Sequence, residues 1–184
     1  MKKVFLIHGF EGSPNGGWRP WLMAELDKQG IYACALAMPS PNQPVPKEWV
    51  KEIARHVESS PRDQIYLVGH SLGVPAILRY LEKAPGKQVR GVVLVSGPIF
   101  KTTKKRVDSF LNKSFDFKTI KQKAGKVVVI HGDTDRSVSV EQGRVLAEEL
   151  KAELVIVKNG GHLNGSAGWN TLPHALKALT KMMG

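Results

Sequence analysis

Two patterns of apolar residues alternate along the chain. Short continuous runs rich in β-branched residues predict strands buried on both faces, because a strand with one solvated face would alternate apolar and polar residues. Six such runs occur, at Val4–His8, Ile31–Ala37, Gln64–Gly69, Val89–Ser96, Lys126–His131 and Glu153–Lys158. Between them, apolar residues recur at the spacing of amphipathic helices, in stretches marked first by Trp18, Trp49, Ile77, Val145 and Leu172.

This alternation of strands and helices predicts a parallel sheet covered by helices on both faces. We therefore expect a three-layer α/β fold with about six strands, in a single domain over residues 1–184. One connection, at about 98–123, has no strong strand pattern and follows the carboxyl end of the fourth predicted strand. Ligands bind at that edge of open α/β sheets, so the segment is predicted to be a lid-like insertion; a packed helical excursion is the alternative.

Composition narrows the functional classes. The net charge of +11 raises the possibility of a nucleic-acid partner, but the lysines are scattered and no nucleic-acid or zinc motif accompanies them. A solvated basic face is the better interpretation. The longest apolar runs are too short for a membrane span or a signal peptide, so a cytoplasmic location is expected. Cys34 is the only cysteine, which excludes an internal disulfide.

A serine between two glycines marks the most informative stretch, Gly69-His70-Ser71-Leu72-Gly73. It joins a predicted strand to a predicted helix, which is the context that a nucleophile elbow of the G-x-S-x-G type requires. The strained turn needs small neighbours, and the glycines let the helix pass close to the strand. An ordinary serine N-cap is the alternative, but a cap would not explain both glycines.

A serine nucleophile needs a base and an acid that orients the base. In this topology the acid follows a later strand and the histidine follows the last one. Asp133 and Asp135 follow the fifth predicted strand, and His162 follows the sixth after two glycines. The pattern H-G-x-x-D-x-x-V, formed here by the stretch 131–138, favours Asp135 over Asp133 as the partner of His162.

The remaining histidines and the loop after the first strand have separate roles. His8, His70 and His131 are predicted to bond loop backbone, and a metal site built from them has no recognisable ligand spacing. The backbone N–H groups of Phe10 and Leu72 are expected to form an oxyanion hole.

The chain resembles the small α/β-hydrolases of the retinoblastoma-binding-protein-nine type, and most closely their bacterial YdeN-type members. The resemblance runs nearly end to end and rests on "IHGFEGSP", "MPSPNQPVPKEWV", "GHSLGVPAILRYLE", "GDTD" and "GGH". It implies an α/β-hydrolase fold that lacks the usual first two strands, and a triad of Ser71, Asp135 and His162. It implies no substrate.

The expected activity is hydrolysis of a small ester, or of a thioester or amide, through an acyl-enzyme, with no cofactor and no metal. A thioesterase or acyltransferase of the same fold and a non-catalytic protein-binding module are the alternatives. No membrane or protein partner is indicated.

Aromatic residues suggest the shape of the substrate site. A shallow apolar acyl pocket is expected near the mouth, formed by some of Phe10, Trp18, Phe100, Phe110, Phe115, Phe117 and Trp169. Burial within the insertion's own core is the alternative for any one phenylalanine. The basic run Lys101–Arg106 on the same insertion is expected to attract anionic substrates.

Overall fold

A computed structural model describes residues 1–59, 62–84, 89–101 and 105–184. Its centre is one parallel sheet of six strands in the order β2-β1-β3-β4-β5-β6. The strands are β1 (Lys2–Ile7), β2 (Tyr32–Leu36), β3 (Gln64–His70), β4 (Gly91–Val95), β5 (Lys126–Gly132) and β6 (Glu153–Val157). The predicted α/β fold with a six-stranded parallel sheet is therefore confirmed.

Helices cover both faces of the sheet. They are α1 (Arg19–Asp27), α2 (Pro46–Glu58), α3 (Gly73–Lys83), α4 (Phe117–Lys123), α5 (Val140–Leu150) and α6 (Pro173–Met183). Alternate residues of β1 show why the strands carry continuous apolar runs. Phe5 and Ile7 belong to the core formed with α2, α3, α4 and α5, whereas Val4 and Leu6 belong to the core formed with α1 and α6.

The predicted insertion contains a short 3-10 helix, Lys105–Phe110, followed by α4. Phe110 is fully buried and its ring lies edge-on to the Trp49 ring at 5.6 Å. Arg79 of α3 donates hydrogen bonds to the carbonyl oxygens of Phe110 and Lys113. Its guanidinium carbon also lies 3.9 Å from the centre of the Phe115 ring. These contacts pack the segment against α2 and α3, as in the alternative of a packed helical excursion; its role as a lid stays a prediction.

The carboxyl ends of the strands collect the polar residues of the predicted site. The chain leaves β3 at His70, β5 at Gly132 and β6 at Val157, and each strand is followed by a candidate catalytic residue. Among the described residues, no helix is long and apolar enough to cross a membrane.

Candidate active site

Ser71 occupies a strained turn between β3 and α3. Its φ of +53° is a conformation that residues other than glycine rarely adopt, and its N–H donates to the carbonyl oxygen of Val95 at 2.9 Å. The turn fits only because its neighbours lack side chains. A Cβ at Gly69 would lie 2.9 Å from the backbone of Gly73, and a Cβ at Gly73 would lie 2.3 Å from the carbonyl oxygen of Ile7. This geometry is that of a nucleophile elbow.

The loop after β1 passes directly beside this turn. A Cβ added to Gly9 would lie 2.9 Å from the Cβ of Ser71, so only glycine permits the approach. Phe10, the next residue, and Leu72 both line the pocket that contains Ser71. The structure thus places the two predicted oxyanion donors around the same cavity as the serine.

Three side chains from separate loops form a continuous hydrogen-bonded chain. The Ser71 Oγ lies 2.9 Å from Nε2 of His162. The Nδ1–H of the same imidazole donates to Oδ2 of Asp135 at 2.7 Å. All three predicted residues are therefore brought together, at distances suited to proton transfer from the hydroxyl to the imidazole.

Asp135 is held as a carboxylate. Its Oδ1 accepts hydrogen bonds from the N–H groups of Ser137, at 2.8 Å, and Val138, at 3.0 Å. Burial alone would raise the pKa of Asp135. The His131 imidazole, whose Nε2 lies 3.5 Å from Oδ2, outweighs burial together with the hydrogen bonds from the His162 side chain and the Val138 N–H, so the pKa of Asp135 lies well below its usual range.

Asp133 has a different partner. Its Oδ1 accepts the N–H of Asn159 at 2.7 Å, and its side chain is exposed. The neighbouring Thr134 Oγ1 accepts the N–H of Gly161 at 3.1 Å. Asp133 and Thr134 therefore brace the loop that carries His162. Thr134 was not among the predicted site residues; its position between the two aspartates of "GDTD" was the available signal.

The other histidines near the site bond backbone atoms, as expected. His8 donates from Nδ1 to the Gly9 carbonyl oxygen at 2.8 Å and accepts the Met38 N–H at Nε2. His70 and His131 donate from Nε2 to the carbonyl oxygens of His162 and Val138, each at 2.9 Å. Among the described residues, no cluster of three or more potential ligands could hold a metal ion.

The pocket beside Ser71 is more polar than the aromatic residues suggested. It has a volume of about 500 Å³, and of the seven aromatics named above only Phe10 and Trp18 line it. Phe110 and Phe115 are buried in the core, and Phe100 is exposed. The expectation of an aromatic mouth is therefore wrong for most of them, because Phe110 and Phe115 pack in the core and Phe100 lies outside the pocket. Polar side chains line the pocket instead: Glu11, Ser13, Arg19, Arg136, Ser137 and Asn164.

The described part of the basic run does not line this pocket either. Lys101, Lys105 and Arg106 are exposed side chains outside it, and residues 102–104 lie outside the described residues. Among the described residues, the arginines and lysines that line the pocket are Arg19 and Arg136, neither of which the charge pattern singled out.

Comparison with known proteins identifies the family. The family model for serine hydrolases matches residues 4–181. The chain belongs to the serine hydrolase family. It is 36% identical over 181 residues to YdeN of Bacillus subtilis, a protein described as a hydrolase, with 97% of this chain and 95% of YdeN covered. The predicted membership of the YdeN serine hydrolase family is thus confirmed.

Solved structures give the same result for the fold. The crystal structure of the ydeN gene product from B. subtilis superposes with a TM-score of 0.95 at 34% identity, covering 100% of this chain and 99% of that one. Est1E from Butyrivibrio proteoclasticus reaches a TM-score of 0.76 at 16% identity, covering 99% of this chain and 86% of Est1E. At that identity the second likeness supports the α/β-hydrolase fold alone.

Proposed function

We propose that this serine hydrolase cleaves small carboxylic esters through an acyl-enzyme formed on Ser71. The observation that carries the proposal is the hydrogen-bonded chain from Ser71 Oγ to His162 Nε2 and from His162 Nδ1 to Asp135, at 2.9 and 2.7 Å. The chain of contacts opens onto a pocket large enough for a small ester. A protein-binding module would have no chemical use for these three groups in this alignment.

The first half of the reaction acylates the enzyme. Ser71 Oγ attacks the ester carbonyl carbon while Nε2 of His162 takes the hydroxyl proton. Asp135, kept ionised by its hydrogen bonds, fixes the proton on Nδ1 and stabilises the imidazolium that forms. When the tetrahedral intermediate collapses, the carbon–oxygen bond to the alcohol breaks and His162 returns the proton to the departing alkoxide.

The second half regenerates the serine. Water enters the site, His162 removes one of its protons, and the resulting hydroxide attacks the acyl carbon. Collapse expels the Ser71 oxygen, which recovers its proton from His162, and the carboxylic acid leaves. No cofactor or metal takes part in either half of this proposal.

Charge on the carbonyl oxygen has to be stabilised in both halves. The N–H groups of Phe10 and Leu72 are the proposed donors, since both residues line the pocket beside Ser71. One such donor typically contributes about 3 kcal/mol of transition-state stabilisation. The left-handed turn at Ser71 places Leu72 at the start of α3, where helical N–H groups have no carbonyl partner within the helix.

The test is hydrolysis of p-nitrophenyl acetate and butyrate by the wild type and by Ser71→Ala. We expect saturable turnover in the wild type and a loss of at least about a thousandfold in kcat in the variant, since a triad nucleophile in a serine protease is worth more than that. Ser59→Ala, an exposed serine at the end of α2, is the control for the substitution itself. Turnover that survives Ser71→Ala would contradict the proposal.

A further inference from the structure

A buried cation lines the proposed active-site pocket without an acidic partner. Arg19, the first residue of α1, is only 7% exposed and lines the same cavity as Ser71 and His162. Its Nε–H donates to the carbonyl oxygen of Ser13 at 3.0 Å. Within the described ranges this is the only hydrogen bond of the guanidinium, and no carboxylate there forms an ion pair with it. Residues 60–61, 85–88 and 102–104 include no aspartate or glutamate.

The charge of Arg19 is poorly solvated. Burial lowers the pKa of Arg19 to about 10, which still leaves the side chain positive at neutral pH. The pKa values of His8 and His70 are also lowered, mainly by burial. The positive charge of Arg19 is one of the smaller causes. Keeping an unpaired cation out of water costs folding free energy, so its retention calls for a compensating partner.

We propose that Arg19 binds an anionic group of the substrate, so that the preferred esters carry a carboxylate or another negative group beside the scissile bond. This inference rests on the proposed function of the same pocket. A guanidinium has five N–H donors in a planar fork, and only the one on Nε is used here. The four donors on the two Nη atoms suit the two oxygens of a carboxylate.

Two other charged side chains line the pocket, but neither replaces Arg19 as the proposed anion-binding group. Arg136 and Glu11 both line the cavity and are both exposed, so water screens their charges. Glu11 forms no ion pair with Arg19 in the described structure. Because Arg19 is the desolvated group, its charge acts on a bound ligand with the least screening.

A purely structural role for Arg19 is the competing explanation. Its guanidinium carbon lies 5.8 Å from the Trp18 ring centre, and the bond to Ser13 ties down the loop before α1. If these contacts were its whole purpose, replacing Arg19 would weaken the fold and impair all esters alike. A role in substrate binding would instead change the preference between charged and neutral esters.

Two matched pairs of chromogenic substrates separate these roles. The first pair carries the charge on the acyl side: the p-nitrophenyl monoester of adipic acid and p-nitrophenyl methyl adipate. The second carries it on the alcohol side: 4-acetoxy-3-nitrobenzoate and its methyl ester. For each pair, the readout is the ratio of kcat/KM for the anionic ester to kcat/KM for the neutral one.

In at least one pair we expect the ratio to fall about tenfold or more in Arg19→Gln, as for the loss of a charge-assisted hydrogen bond. Arg19→Lys, which keeps the positive charge, should retain part of the wild-type preference for the anionic ester. Arg144→Gln removes an exposed arginine of α5 outside the pocket and should leave the ratio unchanged. A ratio within twofold of wild type in both pairs, or equal losses on all four esters with a lower Tm, would overturn the inference.

A binding measurement separates this inference from the proposed function. Adipate binding to Ser71→Ala is measured by calorimetry, with and without Arg19→Gln, so that no turnover is needed. Weaker binding on loss of Arg19 supports an anion site even if no ester is hydrolysed, whereas unchanged or undetectable binding counts against it. Absence of Ser71-dependent turnover of all four esters would overturn the proposed function alone.

Discussion

His70 donates a hydrogen bond from Nε2 to the backbone carbonyl oxygen of His162 at 2.9 Å. The residue directly before the proposed nucleophile thus holds the backbone of the proposed base. Trp18 strengthens the same connection, since its indole N–H donates to the Leu163 carbonyl oxygen at 2.8 Å and its ring lies edge-on to the His70 ring. The distance between Ser71 and His162 is therefore fixed by buried contacts behind both side chains.

The neutral state of His70 makes the stability of the protein depend on pH. Burial lowers the pKa of His70 to about 3, whereas an unfolded histidine titrates near ~6.5. Between these values the unfolded chain binds a proton that the folded chain does not, so stability is full above about pH 6.5 and falls as the pH drops toward 3. The free energy of unfolding lost in this way reaches at most about 5 kcal/mol.

Urea unfolding at pH 8, 6, 5 and 4 tests this linkage. His70→Gln keeps a side-chain amide donor but cannot titrate, so its unfolding free energy should decline less steeply with acid than that of the wild type. His8, whose pKa burial also lowers, leaves a residual decline in the variant. At pH 8, His70 is neutral in both the folded and the unfolded chain. The difference in unfolding free energy between wild type and variant at that pH therefore measures the cost of the substitution itself. Parallel pH dependence in both proteins would contradict the assignment.

Asp135→Asn should reduce kcat by at least about a hundredfold. An amide at this position no longer fixes the proton on Nδ1 of His162, and the equivalent error in a serine protease costs roughly ten-thousandfold. Asp133→Asn is the matched control, because an asparagine oxygen can still accept the Asn159 N–H. The measurement is kcat of the two variants by steady-state kinetics. A larger loss of kcat in Asp133→Asn would reverse the proposed roles of the two aspartates.

Gly132→Ala should displace the loop that carries His162. A Cβ at Gly132 would lie 2.2 Å from the carbonyl oxygen of Gly161. This oxygen belongs to the backbone, so the loop itself has to move to make room. We expect kcat/KM to fall by about tenfold or more, because the Ser71–His162 distance depends on this loop. Gly30→Ala serves as the control for general destabilisation, since its φ of +69° strains an alanine far from the site. Wild-type kinetics in Gly132→Ala would show that the loop adapts without loss.

Acyl-chain preference tests the size of the pocket. Its walls are largely glycine and polar side chains around a volume of about 500 Å³, which offers little apolar surface for a long chain. For neutral p-nitrophenyl esters, kcat/KM should peak at or below about eight carbons. A steady rise through longer chains would contradict a short acyl site.

The fold was predictable because its signal is local. Each strand lies between two helical layers, so a continuous apolar run identifies it without any knowledge of its neighbours. The two glycines beside Ser71 were informative for the same reason, since the close approach of α3 to β1 excludes a side chain at Gly73. The order of Ser71, Asp135 and His162 then followed from the topology.

The lining of the pocket was not predictable in the same way. Phe110 and Phe115 belong to a segment whose packing depends on Arg79. Arg79 lies 31 positions before Phe110, donates a hydrogen bond to the Phe110 carbonyl oxygen and covers the Phe115 ring. Arg19 was not singled out by the pattern of charged residues along the chain. Its burial depends on the folded loop after β1, where the Ser13 carbonyl oxygen accepts its Nε–H, and no pattern in the chain reports that arrangement.

The activation of Ser71 by His162 is tested by covalent labelling with a fluorophosphonate, which reacts with a serine only when a neighbouring base activates it. The protein is treated at pH 7.5, and the modified peptide is located by mass spectrometry in the wild type, in His162→Ala and in Ser59→Ala. We expect one adduct, on Ser71, in the wild type and in Ser59→Ala, with labelling at least about a hundredfold slower in His162→Ala. Labelling at another serine, or equal rates with and without His162, would contradict it.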